Sequence, residues 1–321
     1  MPHLFDIDDL SPDAFDRILT LAVSPVRPTS ASEGGPVLAG QGVALLFEKP
    51  SARTRNSTEM AVVGLGGHPV YIQAAEVGID TRETAEDVAR TLGCYHRILC
   101  ARVFDHGLLP RMAGALDGSG FNVPVINLLS DDAHPCQAVA DIITLRQRFG
   151  SLAGRSLAYI GDANNMARSL VKAALMEGMD VRVASPAGYD FSTEELASLA
   201  QLATKSGRGG TVRSTNDAAD GAAGADALYT DVWTSMGQED ERADRLAAFA
   251  GFTIDDALLS VASSDAVVLH CLPAHRGEEI TASVLEGPQS VVWVQAAHRR
   301  TAMHGILQWS IADSVTGDAA T

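Results

Sequence analysis

Cysteine is scarce in this chain. The four present (Cys94, Cys100, Cys136 and Cys271) show no paired spacing, which excludes a disulfide scaffold or a zinc ribbon and leaves reduced thiols as the expectation. Basic residues are also in deficit: 24 Lys and Arg against 40 Asp and Glu give a formal net charge of -16. A global field of that sign argues against nucleic acid or an anionic membrane as partners. Long hydrophobic runs are missing, since GVALLF and DAVVLHCL are far too short to cross a bilayer. The first residues, MPHLFDIDDL, carry acid where a secretion signal carries base, so a cytoplasmic location is expected. Internal repeats are lacking. The turn GDANNMARS lacks the second and third glycines of a dinucleotide fingerprint.

What is present is a globular composition, 46% hydrophobic and 20% charged over 321 residues, long enough for two domains. Apolar, β-branched runs recur at 42–48, 69–73, 97–104 and 123–129, then at 156–162, 180–186, 226–232, 265–273 and 290–295. Helical periodicity fills the gaps at 54–66, 82–95, 133–149 and 164–178. Strands alternating with helices predict an α/β protein of two domains, each a parallel sheet flanked by helices. The helix ending in Phe149-Gly150 marks a boundary. The expected domains are 1–149 and 150–296, with a last helix in 297–321 packing back on the first. The Gly- and Ala-rich segment 206–227 reads as a surface stretch.

In an open parallel sheet, ligands bind outside the carboxyl ends of the strands. The polar residues collect there. SARTR follows the first run, Arg102 lies near the end of the third, and His134 and Gln137 follow the fourth. In the second series Asn164 and Asn165, Asp231 with TSMG, and His270-Cys271-Leu272-Pro273 follow strands, and His298-Arg299 comes after the last run. The pattern predicts a site in a cleft between the domains. Ser51 is a natural helix N-cap, so the N–H groups of residues 52–54 would face one spot and bind phosphate, with Arg53 or Arg55 adding charge. The alternative is an ordinary capped helix with solvated arginines. Asn164 and Asn165 suit a carboxylate or amino group of a small ligand, or simply cap a helix. His270, His275 and Glu279 lack the helix-period spacing of a ligand pair, so no metal is expected.

Taken together, the segments are recognisable. SARTR resembles the phosphate loop STRTR of the aspartate/ornithine carbamoyltransferase family. HPCQAVAD, GDANNMARSL, DVWTSMGQE, HCLPAHRGEE and QAAHR are similar to further signatures of that family, several of them of its ornithine branch. The resemblance runs in order from about residue 4 to residue 311. It implies transfer of a carbamoyl group from carbamoyl phosphate to the side-chain amine of L-ornithine, without cofactor or metal. It further implies a homotrimer with sites at subunit interfaces. Carried over by position, Ser51, Ala52, Arg53 and Thr54 would hold the phosphate. Arg102, His134, Gln137 and Arg299 would hold phosphate and carbonyl oxygen. Asn165, Asp231, Ser235 and Met236 would hold ornithine. Cys271 and Leu272 would sit at the reacting carbon, with Cys271, Arg102, His134 and Asp231 as the catalytic groups.

Four departures stand out. Ala52 replaces a threonine, and Thr58 a phenylalanine. EVGIDTRET is longer than the family's version and lacks the glutamine that reaches a neighbouring chain. Ala297 and His298 replace Glu and Asn beside Arg299, and Val294 replaces an acid. A carbamoyltransferase for putrescine or an N-acylated ornithine, and a non-catalytic ligand-binding relative, remain the alternatives.

Overall fold

The computed structural model describes residues 2–24, 36–234 and 239–316. In chain order its elements are α1 (Pro12–Val23), β1 (Gly42–Phe47), α2 (Ala52–Gly64), β2 (His68–Gln73), α3 (Ala74–Val77), α4 (Ala85–Gly93), β3 (Ile98–Arg102), α5 (Leu108–Asp117), β4 (Val125–Leu129) and α6 (Pro135–Phe149). The second series is β5 (Ser156–Ile160), α7 (Asn165–Met176), β6 (Asp180–Ala184), α8 (Thr193–Ser206), β7 (Thr211–Thr215), α9 (Ala218–Ala222) and β8 (Ala227–Thr230). It continues through α10 (Arg242–Ala248), α11 (Asp256–Val261), β9 (Val267–His270), α12 (Ala282–Leu285) and α13 (Val292–Thr316). No helix among the described residues is long and apolar enough to cross a membrane.

The strands form two parallel sheets, ordered β2-β1-β3-β4 and β7-β6-β5-β8-β9. Each sheet starts in its interior, runs to one edge, then returns and grows the other way. That reversal leaves a crevice at the carboxyl ends of β1 and β3 in one sheet, and of β5 and β8 in the other. The chain divides into two compact units, Met1–Ala140 with His298–Thr321, and Asp141–Ala297. In the first, Leu46, Leu99, Ala101, Leu109, Met112 and Val125 belong to one buried cluster. In the second, Ile160, Leu228, Phe249, Val268 and Leu285 do the same.

One sequence expectation is corrected and one is filled in. SVVWVQ (290–295) is not a strand. Only Ser290 bridges Val268, and by Val292 the chain is helical, with Trp293 and Val294 exposed. A six-residue apolar run fits a strand or a helix start equally, so its period could not arbitrate. Segment 206–227 is mostly exposed or half-buried, as a surface stretch would be, and it also holds edge strand β7 and α9. An edge strand open on one side needs little hydrophobicity, which hid it.

α13 closes on α1 at Gly305. A Cβ there would lie 2.4 Å from the Ile18 carbonyl oxygen and 2.8 Å from Ala22 Cβ, so any side chain would push the helix away. Thr58, on α2, is 0% exposed and its hydroxyl has no hydrogen-bond partner among the described residues. Thr58→Val keeps the shape and removes that cost. We expect a stability gain of about 1 kcal/mol, read as a higher urea midpoint at constant m-value. A lower midpoint would mean the hydroxyl is satisfied.

Candidate active site

In the first unit, cations gather at the carboxyl ends of β1 and β3. Ser51 caps α2: its backbone is extended and its hydroxyl accepts from the Thr54 N–H at 3.3 Å. The first-turn N–H groups of Ala52 and Arg53 have no partner within the helix, and they carry the positive end of its dipole. Phe47 pairs with Arg102 in the register of β1 and β3, which sets Arg102 beside this turn.

Thr54 is the meeting point. Its hydroxyl accepts from Arg102 Nη1 at 3.4 Å and from Arg299 Nη2 at 3.3 Å. Arg299 Nη1 donates to Gln137 Oε1, and to His134 Nε2 at 3.2 Å. A guanidinium cannot accept, so His134 accepts at Nε2 and, when neutral, carries its proton on Nδ1. Burial, then the positive neighbours Arg299, Arg102 and Arg53, push the His134 pKa well down, which keeps it neutral at pH 7. Arg102 and Arg299 are only 5% and 4% exposed. Among the described residues no carboxylate acts on Arg102, and its Nε is buried without a partner. Burial first, then Arg299 and Arg53, lower its pKa to about 10. Buried cations held together this way call for an anion.

Arg53 is exposed at the rim. Arg55 is turned elsewhere: it pairs with Glu59 at 2.8 Å and stacks on Tyr71 at 3.8 Å. The longer 76–83 loop is tied within its own chain, Arg111 binding Asp80 at 2.6 Å and Glu86 at 2.7 Å.

In the second unit the groups follow β5, β8 and β9. Thr230 pairs with His270 in register, so the next residues, Asp231 and Cys271, are neighbours. The Cys271 thiol donates to Asp231 Oδ1 at 2.9 Å, and the Val232 N–H donates to the same oxygen at 2.8 Å. Asn164 Nδ2 donates to Asp231 Oδ2 at 3.3 Å, while Asn164 Oδ1 caps α7 by accepting from the N–H groups of Met166 and Ala167. Burial and then Asp231 push the Cys271 pKa well up. The sulfur is therefore a neutral thiol, a hydrogen-bond donor rather than a nucleophile.

Leu272 has φ of +61°, a left-handed conformation that costs a non-glycine residue about 1–2 kcal/mol. Its N–H donates to His270 Nδ1 at 2.9 Å. Nδ1 thus accepts, and the buried His270 presents Nε2–H to Glu279 Oε1 at 3.0 Å. Asn165 opens α7, half-buried. Ser235 and Met236 lie outside the described residues. Sequence reasoning had Asn164 as a possible cap but missed its bond to Asp231, and it missed the pairing of His270 with Glu279. The pairing of His270 with Glu279 nine residues on was readable only as a weak proximity within HCLPAHRGEE.

Two groups bring possible metal ligands within 4.8 Å of one another: Asp231, His270 and Cys271, and His275, Glu278 and Glu279. Several of these donors are engaged by the protein. Asp231 accepts from Cys271 and Asn164, Glu279 from His270, and Glu278 from Arg242.

Comparison with known proteins matches both halves. Residues 2–147 match the carbamoyl-P binding domain of aspartate/ornithine carbamoyltransferases, and residues 153–310 match their Asp/Orn binding domain. An ornithine carbamoyltransferase of Acidothermus cellulolyticus is 48% identical over 297 residues, 92% of each chain. One of Rhodococcus opacus is 44% identical over 311 residues, 97% of this chain and 96% of its own. The solved ornithine carbamoyltransferase of Pyrococcus furiosus superposes with a TM-score of 0.86 at 39% identity, covering 96% of each chain. The chain belongs to the aspartate/ornithine carbamoyltransferase family.

Proposed function

We propose that this protein transfers the carbamoyl group of carbamoyl phosphate to the side-chain amine of L-ornithine, giving L-citrulline and phosphate. The observation that carries the reading is the convergence of two buried guanidiniums, Arg102 and Arg299, on the Thr54 hydroxyl beside the open start of α2.

In this reading the phosphate lies against the open N–H groups of Ala52 and Arg53, with Ser51, the Arg53 side chain and the Thr54 hydroxyl completing its shell. The carbonyl oxygen is held by Arg102, Thr54 and His134, with Gln137 and Arg299 fixing His134. The neutral amine attacks the carbonyl carbon, a C–N bond forms, and negative charge collects on the oxygen that these donors hold. One such donor is worth about 3 kcal/mol. The bond from carbon to the bridging phosphate oxygen then breaks, and phosphate departs with the electron pair. The proton lost from nitrogen ends on phosphate or solvent. Asp231 and Cys271 orient the amine, Leu272 offers its backbone at the reacting carbon, and Asn165, Ser235 and Met236 bind the amino-acid end of ornithine.

Phosphate is already a good leaving group, so the reaction as written needs no redox cofactor. The setting in this reading is the cytoplasm, the assembly a homotrimer, and the pathway arginine metabolism.

The test is citrulline formation from carbamoyl phosphate and ornithine, run beside putrescine, N-acetylornithine and aspartate. Turnover with ornithine alone is expected. Turnover with another amine only would overturn the acceptor. No turnover with any, with carbamoyl phosphate still bound, would make the chain a binding protein.

A further inference from the structure

β9 is an edge strand, and its outward polar groups need partners other than a sixth strand. Val268 finds them in the chain before α13, donating to Gln289 O at 2.9 Å and accepting from the Val291 N–H at 3.0 Å. Two residues on, the outward N–H of His270 meets a side chain instead. It donates to Gln295 Oε1 at 2.9 Å. Gln295, in the first turn of α13, is 1% exposed.

That bond fixes the direction of everything beyond it. A backbone N–H can only donate, so the amide oxygen of Gln295 faces His270 and its NH2 faces the other way. The NH2 donates to Asp141 Oδ1 at 2.8 Å and to the Tyr229 hydroxyl at 3.2 Å. Having accepted from Gln295, Tyr229 keeps its own proton to give, and the Cys271 sulfur is the neighbour its hydroxyl acts on. Cys271 in turn donates to Asp231. With the Tyr229 proton given to Cys271, the bonds Gln295–Asp141, Gln295–Tyr229 and Cys271–Asp231 join into one directed chain. Asp141, Gln295 and Tyr229 are fully or almost fully buried, and Tyr229 is further held by stacking on Tyr159 with ring centroids 5.8 Å apart.

We propose that Gln295 is a positioning residue for carbamoyl transfer. It pins the β9 turn through the His270 backbone and, through Tyr229, aims the Cys271 thiol proton at Asp231. Asp141 is the anchor that fixes the amide. Gln295 touches no substrate in this scheme. Its effect reaches the amine through Cys271 and Asp231, so the proposal rests on the function argued above.

The experiment compares the full-length protein with Gln295→Met, Tyr229→Phe and the double variant. Three quantities are read: kcat per titrated Cys271 thiol, KM for carbamoyl phosphate, and the rate of Cys271 alkylation by iodoacetamide. Misplacing a reacting group slightly costs about 10- to 100-fold, and Gln295→Met is expected to lose that much kcat with KM for carbamoyl phosphate unchanged. Tyr229→Phe should lose less kcat and slow alkylation, because a donor to the thiolate is gone. The double variant should fall short of the product of the two losses, as members of one chain do.

Losses that multiply, or a folded Gln295→Met with wild-type kcat, would overturn the proposal. If Gln295→Met does not fold, Tyr229→Phe decides: unchanged kcat and unchanged alkylation sink the chain of bonds. Should wild type itself make no citrulline, the proposed function falls, and the alkylation rates still test the network.

Discussion

Arg102→Ala is expected to lower citrulline formation at saturating substrates by about a hundredfold or more, the cost of removing one aimed donor from a developing oxyanion. The physical ground is the position of Arg102: buried, beside Arg299 and Arg53, its guanidinium bonded among the described residues to the Thr54 hydroxyl. Such a charge destabilises the free protein. Its pKa is lowered to about 10, a penalty of about 3 kcal/mol. Below pH 10 the penalty is at full size, because Arg102 is then protonated in both the folded and the unfolded chain.

A second variant, Arg102→Met, keeps much of the volume and removes the charge. It is expected to melt higher than wild type without ligand and to lose most of the stabilisation that phosphate gives. The measurement is a pair of thermal melts with and without phosphate, alongside the rate. A near-normal rate at saturation would take Arg102 out of the chemistry. A lower melting point would mean its charge is compensated by something other than substrate.

The second large effect is expected at Asp231. Asp231→Asn keeps the shape and removes the charge that faces Cys271 and Asn164. We expect kcat/KM for ornithine to fall by about a hundredfold or more, in the range of a lost acid–base group, with the affinity for carbamoyl phosphate unchanged. Equal losses for both substrates would show that Asp231 does not belong to the amine side. The thiol supplies an independent readout. Burial and then Asp231 hold the Cys271 pKa up. Taking away the carboxylate charge lowers it, so alkylation of Cys271 should begin at lower pH in the variant than in wild type. An unmoved alkylation profile would mean burial alone sets the thiol.

Much of this was legible in the sequence, and the reason is the topology. In a parallel sheet each ligand-bearing turn follows an apolar run, so SARTR, Arg102, Asp231 and Cys271 announced themselves by position. The alternation of strands and helices announced the two sheets. What failed were elements without a period of their own. Ser290–Gln295 holds one bridge to β9 and then turns helical, which six apolar letters cannot reveal. The edge strand β7 looked like surface because half of it is. The buried partners were hidden for a different reason. Gln295 and Asp141 are 154 residues apart, and each reads locally as an ordinary helix residue. Asn164 looked like a cap and is one, and only the folded chain shows its other end on Asp231. Arg55 shows the converse error: charge and nearness in sequence suggested phosphate, and Tyr71 with Glu59 hold it elsewhere.

The first unit is discontinuous in the chain, and that has a consequence for its birth on the ribosome. Gln137 and Arg299 bond to each other across 162 residues of sequence. At roughly 5–20 residues per second, the nascent protein spends about 8–30 s with His134 and Gln137 already made and their guanidinium partner not yet synthesised. Throughout that interval the anion site lacks one of its two buried cations. If this site takes phosphate as proposed, phosphate-bearing metabolites meet an incomplete receptor until translation is nearly over.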